Sequence, residues 1–135
     1  MYEEIVKEAY QAVVKKDWST FKRYIVEDCT WKLVGAGLTI SYAEFFSIVE
    51  SFKILNPEDE DRIIKVIGIN DYVICILEQT HVENGITERQ INHEVIKMDG
   101  NKMKGIVVYN SHVPDFEYTE KWLNSLNVEY ERQSI

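Results

Sequence analysis

Positive charge is in short supply. There are 15 Lys and Arg against 23 Asp and Glu in 135 residues, giving a formal charge of -8 and a pI near 4.9. A surface of that sign repels phosphate, which argues against nucleic acid as a partner. Cysteine is scarce too. Cys29 and Cys75 are the two thiols, too few for a disulfide framework, and they read as free, buried thiols of a cytosolic protein. No apolar run approaches the roughly 20 residues of a membrane span. The opening segment, Met1 to Lys7, is acidic and amphipathic, unlike a secretory signal. The expected location is therefore cytoplasmic, with no membrane partner. Repeats, low-complexity stretches and long linkers are absent. No Cys, His and Asp cluster has metal-ligand spacing, and Gly35-Ala36-Gly37 lacks the third glycine and the lysine of a phosphate loop. Neither a metal nor a diffusible cofactor is expected.

What is present is enough apolar material for one core: hydrophobic residues make up 45% and aromatic residues 12% of the chain. From Tyr2 to Lys16, the residues Ile5, Val6, Ala9, Tyr10, Ala12 and Val13 recur at three- and four-residue steps, which predicts a helix. Asp17 caps a second helix, with Trp18, Phe21, Tyr24 and Ile25 as its apolar stripe. Cys29 to Val34 reads as a short strand. Ser41 and Glu44 form a capping box for a third helix, with Phe45, Ile48, Val49 and Phe52 inside. Asn56-Pro57 closes that helix, and Glu58 to Asp61 reads as a solvated loop.

The second half changes period. Arg62 to Ile69, Tyr72 to Val82, Thr87 to Met98 and Met103 to Val113 are rich in Ile and Val. They are separated by the turns Asn70-Asp71, Asn84-Gly85 and Asp99-Gly100-Asn101, which predicts an antiparallel meander. Tyr118 to Leu126 reads as a short helix or a surface-packed tail, so the chain divides into a domain at 1–113 and a tail at 114–135. Helices followed by a meander is the α+β pattern, with the helices on one face of the sheet.

Register arithmetic selects a candidate pocket. A two-residue turn at Asn84-Gly85 sets Ile76 against His93 and Glu78 against Ile91. Pairing Met98 with Met103 and counting straight on sets His93 against Val108 and Ile91 against Asn110. One face then carries Ile74, Ile76, Glu78, Ile91, His93, Val95, Ile106, Val108 and Asn110. It is the more apolar face, so it is expected beneath the helices. Its polar exceptions, Glu78, His93 and Asn110, need partners or a wet cavity. An imidazole beside a carboxylate in an apolar hollow is an acid/base unit. The alternative is a core histidine satisfied by Glu78 or Asn110. Val73, Cys75 and Leu77 fall on the opposite face, as a dimer contact or a surface covered by the tail.

Several segments resemble the nuclear transport factor 2-like superfamily, in its SnoaL-like branch. They are Lys15-Lys16-Asp17-Trp18 after the first helix, Val26-Glu27-Asp28-Cys29-Thr30-Trp31 leading into Gly35, and Asp99-Gly100-Asn101-Lys102-Met103 followed by Val108-Tyr109. The resemblance covers about Tyr2 to His112. It implies a cone-shaped fold in which a curved sheet wraps helices around an apolar cavity, and it implies a homodimer. The family includes ketosteroid isomerases, polyketide cyclases, dehydratases and non-catalytic binding domains. By spacing, His93 falls where the isomerase has its oxyanion-binding acid, Leu33 at its general base and Ala9 at its oxyanion tyrosine, with Tyr10 one residue away. Two of those three positions are apolar, so the isomerase's own chemistry is not expected. The expectation is a small hydrophobic ligand lined by Tyr10, Trp31, Leu33, Phe46, Ile76, Ile91 and Val108. His93, Glu78 and Asn110 would be the catalytic groups of a cofactor-free isomerase, cyclase or dehydratase. The alternative is a non-catalytic ligand-binding or dimerisation module.

Overall fold

A computed structural model describes residues 1–55 and 58–110, with the backbone alone at 52–55 and 83. The expected closure at Asn56-Pro57 and the expected tail lie outside the described residues. Helix α1 runs Tyr2–Val14 and buries Val6, Ala9, Tyr10 and Val13 along one stripe. It ends in a Schellman cap: Lys16 takes a left-handed φ of 57°, its N–H donates to Val13 O, and the Asp17 N–H donates to Ala12 O. Asp17 starts α2, Trp18–Lys22, by accepting from the Thr20 N–H and from the Thr20 and Ser19 hydroxyls. Those hydrogen bonds hold its carboxyl below the usual range. Helix α2 is shorter than expected because Ile25 already belongs to β1, Ile25–Leu33.

A short strand that the sequence reading passed over, β2 at Leu38–Ser41, precedes α3, Tyr42–Leu55. The capping box forms as expected: Ser41 Oγ accepts from the Glu44 N–H, and Glu44 Oε1 accepts from the Ser41 N–H. Four long strands follow: β3 Glu60–Ile69, β4 Tyr72–Glu83, β5 Ile86–Asp99 and β6 Lys102–Asn110. The six strands form one sheet in the order β2-β1-β6-β5-β4-β3. The meander β3 to β6 is antiparallel, and β1 joins it parallel to β6. At Asn84-Gly85 both residues have positive φ, the geometry a two-residue hairpin needs to match strand twist. The helices cover one face of the sheet, α1 over β3 and β4 and α3 over β1 and β2. This is the expected α+β arrangement of N-terminal helices on a sheet. No described helix is long and apolar enough to cross a membrane.

The register of β4 on β5 is the expected one, with Ile76 opposite His93 and Glu78 opposite Ile91. Which face is inside is a correction. Val73, Cys75, Leu77, Asn92, Glu94, Ile96 and Met98 are buried, while His93 is exposed. The cause is a bulge in the last hairpin. Met98 pairs with Met103, but Lys97 then pairs with Gly105, so Lys104 is an extra residue. Every later β6 residue shifts by one. Ile106 and Val108 stand opposite Ile96 and Glu94, not Val95 and His93, and they carry the other face of β5 inward. The two-residue turn joining Ile69 to Tyr72 sets Lys65 opposite Ile76 on the outer face, and the bulge beyond it brings Ile63 opposite Leu77. The outer face is a comfortable position for an exposed lysine.

Under the helices lies an aromatic cluster. The Trp31 ring stacks on Phe45 at 3.9 Å between centroids, and Phe46, Phe21 and Tyr10 pack edge-on or tilted around them. Trp31 is 2% exposed, so this end of the interior is filled by the chain itself. Leu77→Ala, which empties a fully buried site, should cost about 2–5 kcal/mol in urea unfolding. His93→Ala, on the outer face, should stay within about 0.5 kcal/mol. The reverse order would mean that the sheet faces are assigned the wrong way round.

Candidate functional site

The inner face changes character along its length. One row across the sheet is apolar: Val73, Ile96, Ile106, Trp31 and Ile40 stand side by side. The next inward row carries Cys75, Glu94, Val108 and Leu33. The third carries Ile63, Leu77, Asn92 and Asn110, and the fourth Asp61, Gln79 and Gln90. Polar groups thus accumulate row by row on the face that also builds the core.

Helix α1 points Tyr10 at this gradient, and its hydroxyl donates to Glu94 Oε1 at 2.6 Å. Both groups are buried, Glu94 at 8% exposure. Burial pushes the Glu94 carboxyl up to about 7, against the Tyr10 hydrogen bond and with help from the charge of Asp61. Burial, then the Glu94 charge, raises the Tyr10 phenol well above its usual value. Two thiols adjoin the pair. Burial raises Cys75, and Glu94 raises it further. Burial also carries Cys29 up to about 12. Thiols in that condition are protonated and inert, so a cysteine nucleophile is not a feature of this site.

Asp61 was expected in a solvated loop and instead belongs to β3, half-buried on the inner face. Burial raises its carboxyl to about 6, although a Gln79 hydrogen bond and the Lys16 charge pull it down. Gln90 Nε2 donates to Gln79 Oε1 at 2.8 Å. That bond occupies the Gln79 oxygen and leaves its amide N–H for Asp61. Asn92 lies between this row and Glu94. It is 4% exposed, and its Oδ1 is buried with no hydrogen-bond partner among the described residues. Beyond Asp61, the Asp59 carboxylate holds His81 Nδ1 at 2.8 Å and accepts from the Val82 N–H. This clamps the start of β3 to β4. A hollow of about 130 Å³ beside it is lined by His81, Asn84, Ile86 and Glu88. No group of three or more potential metal ligands occurs among the described residues.

The structure separates the residues that the sequence brought together. His93 and Glu78 lie on the outer face, where Glu78 meets Arg62 at 3.4 Å. Ile76 and Ile91 share that face and are half-buried. Asn110 is on the inner face, opposite Asn92 rather than Ile91. Tyr10, Trp31, Phe46 and Val108 are buried inside, and Leu33 is half-buried there. The positions next to His93 and Ala9, Glu94 and Tyr10, are the ones that meet inside. The missed residues Gln90, Asn92 and Glu94 alternate along β5, and Gln79 faces Gln90 from β4. A polar set at period two is also the signature of a solvated face, so the pattern alone conceals them.

No protein-family model matches the chain, and no curated protein matches its sequence. Solved structures do match. Bal32a from a soil-derived mobile gene cassette superposes with a TM-score of 0.75 at 16% identity, over 90% of this chain and 95% of its own. A protein of Shewanella denitrificans described as a SnoaL-like polyketide cyclase gives 0.69 at 15% identity, over 92% and 97%. A nuclear transport factor 2-like protein of Cytophaga hutchinsonii gives 0.68 at 11% identity, over 82% and 99%. The chain therefore has the nuclear transport factor 2-like fold, shared with proteins of the SnoaL-like and ketosteroid isomerase-like groups.

The raised Glu94 carboxyl makes stability depend on pH. Below the ordinary value of 4.5, folded and unfolded chains both hold this proton. Between 4.5 and about 7, only the folded chain does. Stability should therefore fall as pH rises through that window and level off above it, by up to about 3 kcal/mol from this group. Asp61 acts in the same direction between 3.8 and about 6. Urea unfolding at pH 5 and pH 8 should show the loss, and Glu94→Gln should shrink it.

Proposed function

We propose that this protein binds a small, largely apolar organic molecule at the polar end of the inner face. There it carries out cofactor-free proton transfer of the isomerase, cyclase or dehydratase kind. The observation that carries this reading is the buried Tyr10–Glu94 hydrogen bond, with a carboxyl poised at about 7 and a second carboxyl, Asp61, at about 6 on the same face. Near neutral pH the two divide the work. Glu94, when protonated, accepts the Tyr10 hydrogen bond on Oε1 and offers its own O–H to a ligand carbonyl oxygen as negative charge develops there. Asp61, largely ionised, takes the proton from the neighbouring carbon. Glu94 is buried and Asp61 half-buried, which strengthens both interactions relative to open water. Trp31, Phe46, Leu33 and Val108 supply the apolar wall.

A ligand-binding module without chemistry is the second reading. It is favoured by the Trp31–Phe45 stack, which fills the apolar end with side chains. Deuterium uptake separates the two. In D2O, the protein should catalyse exchange at the carbon next to the carbonyl of a simple cyclic ketone such as 1-tetralone. Asp61→Asn should slow that exchange by about 100-fold or more, the usual worth of a positioned base. Exchange that is no faster with protein than without it would remove the catalytic reading.

As partner we propose a second copy of the chain, seated on the outer face. Ile67, Ile74, Val95 and Val107 form one aliphatic row across four strands there, edged by the exposed Lys65 and Lys97. Sedimentation should give a dimer that Ile74→Lys converts to a monomer. A monomeric parent protein would remove this proposal.

A further inference from the structure

A buried amide oxygen without a partner is expensive, because it has given up water and received nothing in exchange. Asn92 Oδ1 is in that position. Among the described residues nothing answers it. Leu77, opposite it on β4, has no donor, the Tyr10 hydroxyl is committed to Glu94, and one N–H of the Gln90 amide is committed to Gln79. Asn110 stands opposite it on β6, and no donor of that amide reaches Asn92 Oδ1.

Asn92 and Glu94 are two apart on β5, so both point inward from adjacent rows, with backbones roughly 7 Å apart. At neutral pH the face thus presents a carboxyl O–H at one point and an unsatisfied acceptor a few ångströms away. A ketone alone satisfies the first and leaves the second unpaired.

We propose that Asn92 is a specificity-determining residue, and that the ligand is a hydroxylated carbonyl compound. Its carbonyl oxygen faces Glu94 and its hydroxyl donates to Asn92 Oδ1. This rests on the ligand site proposed above and names the class of molecule that the site takes. A site built to accept from a hydroxyl discriminates strongly against analogues that lack one, because its own buried acceptor is then left bare.

Three probes test it: 1-tetralone, 7-hydroxy-1-tetralone and 7-methoxy-1-tetralone, titrated into the protein and followed by tryptophan fluorescence. The hydroxylated ketone should bind at least about tenfold more tightly than the methoxy compound, the worth of one hydrogen bond to a buried acceptor. Asn92→Leu should abolish that preference and leave 1-tetralone binding intact, while Asn92→Asp, which keeps an acceptor, should retain it. Asn92→Leu should also melt higher than the parent by about 4 °C or more, because it removes the stranded oxygen. If 1-tetralone binds and the parent shows no preference for the hydroxyl, the inference fails while the ligand site stands. If the preference survives in Asn92→Leu, or that variant melts lower, Asn92 is not the acceptor. If none of the three probes binds, the ligand site and the inference fall together.

Discussion

One extra residue in β6 determines what the interior is made of. Lys104 is looped out between Met103, which pairs with Met98, and Gly105, which pairs with Lys97. Because side chains alternate across a strand, this single offset decides whether Ile106 and Val108 share a face with His93 or with Glu94. It brings Glu94 under α1, where Tyr10 waits, and turns His93 outward. The polar rows, the phenol–carboxyl pair and the two raised carboxyls all follow from that placement. The offset also frees the aliphatic residues Ile74, Val95 and Val107 to form a row on the opposite face.

Local signals carried much of the fold. The Ser41–Glu44 capping box, Asp17 at the start of α2 and the Asn84-Gly85 turn are each written in adjacent residues and each formed. The pairing of β4 with β5 followed from the turn alone. What stayed hidden was non-local. The one signal near Lys104 is Gly105, since glycine within a strand often marks a bulge, and it does not say which face the offset turns inward. The face was then chosen by averaging polarity over whole strands. Averaging fails here because the inner face is apolar at Val73 and Ile96 and polar at Gln79 and Gln90. The awkward inward Glu78 and His93 of the straight count were the available warning: charged and titratable groups collecting on one face mark it as the solvent side.

The site is legible in hindsight as a local violation of core rules. Glu94, Asn92 and Asp61 occupy a face that otherwise holds Leu77, Cys75 and Ile96, and burying them weakens the fold. The aromatic cluster around Trp31 supplies compensating burial at the other end of the interior. Proteins depart from consistent patterning mainly where something other than stability is served. Three such departures on adjacent rows of one sheet face are hard to ascribe to packing alone.

The two carboxyls also divide their protons by position. The charge of Asp61 raises Glu94, and the charge of Asp59 raises Asp61. Enclosure then sets the order. Glu94 is buried beneath α1 and accepts a hydrogen bond from the Tyr10 hydroxyl, so it keeps its proton longest. Asp61 is half-buried, with the Gln79 amide and the Lys16 ammonium favouring its charge. Glu94 is thus the more enclosed carboxyl and Asp61 the more exposed one, with Asn92 on the row between them.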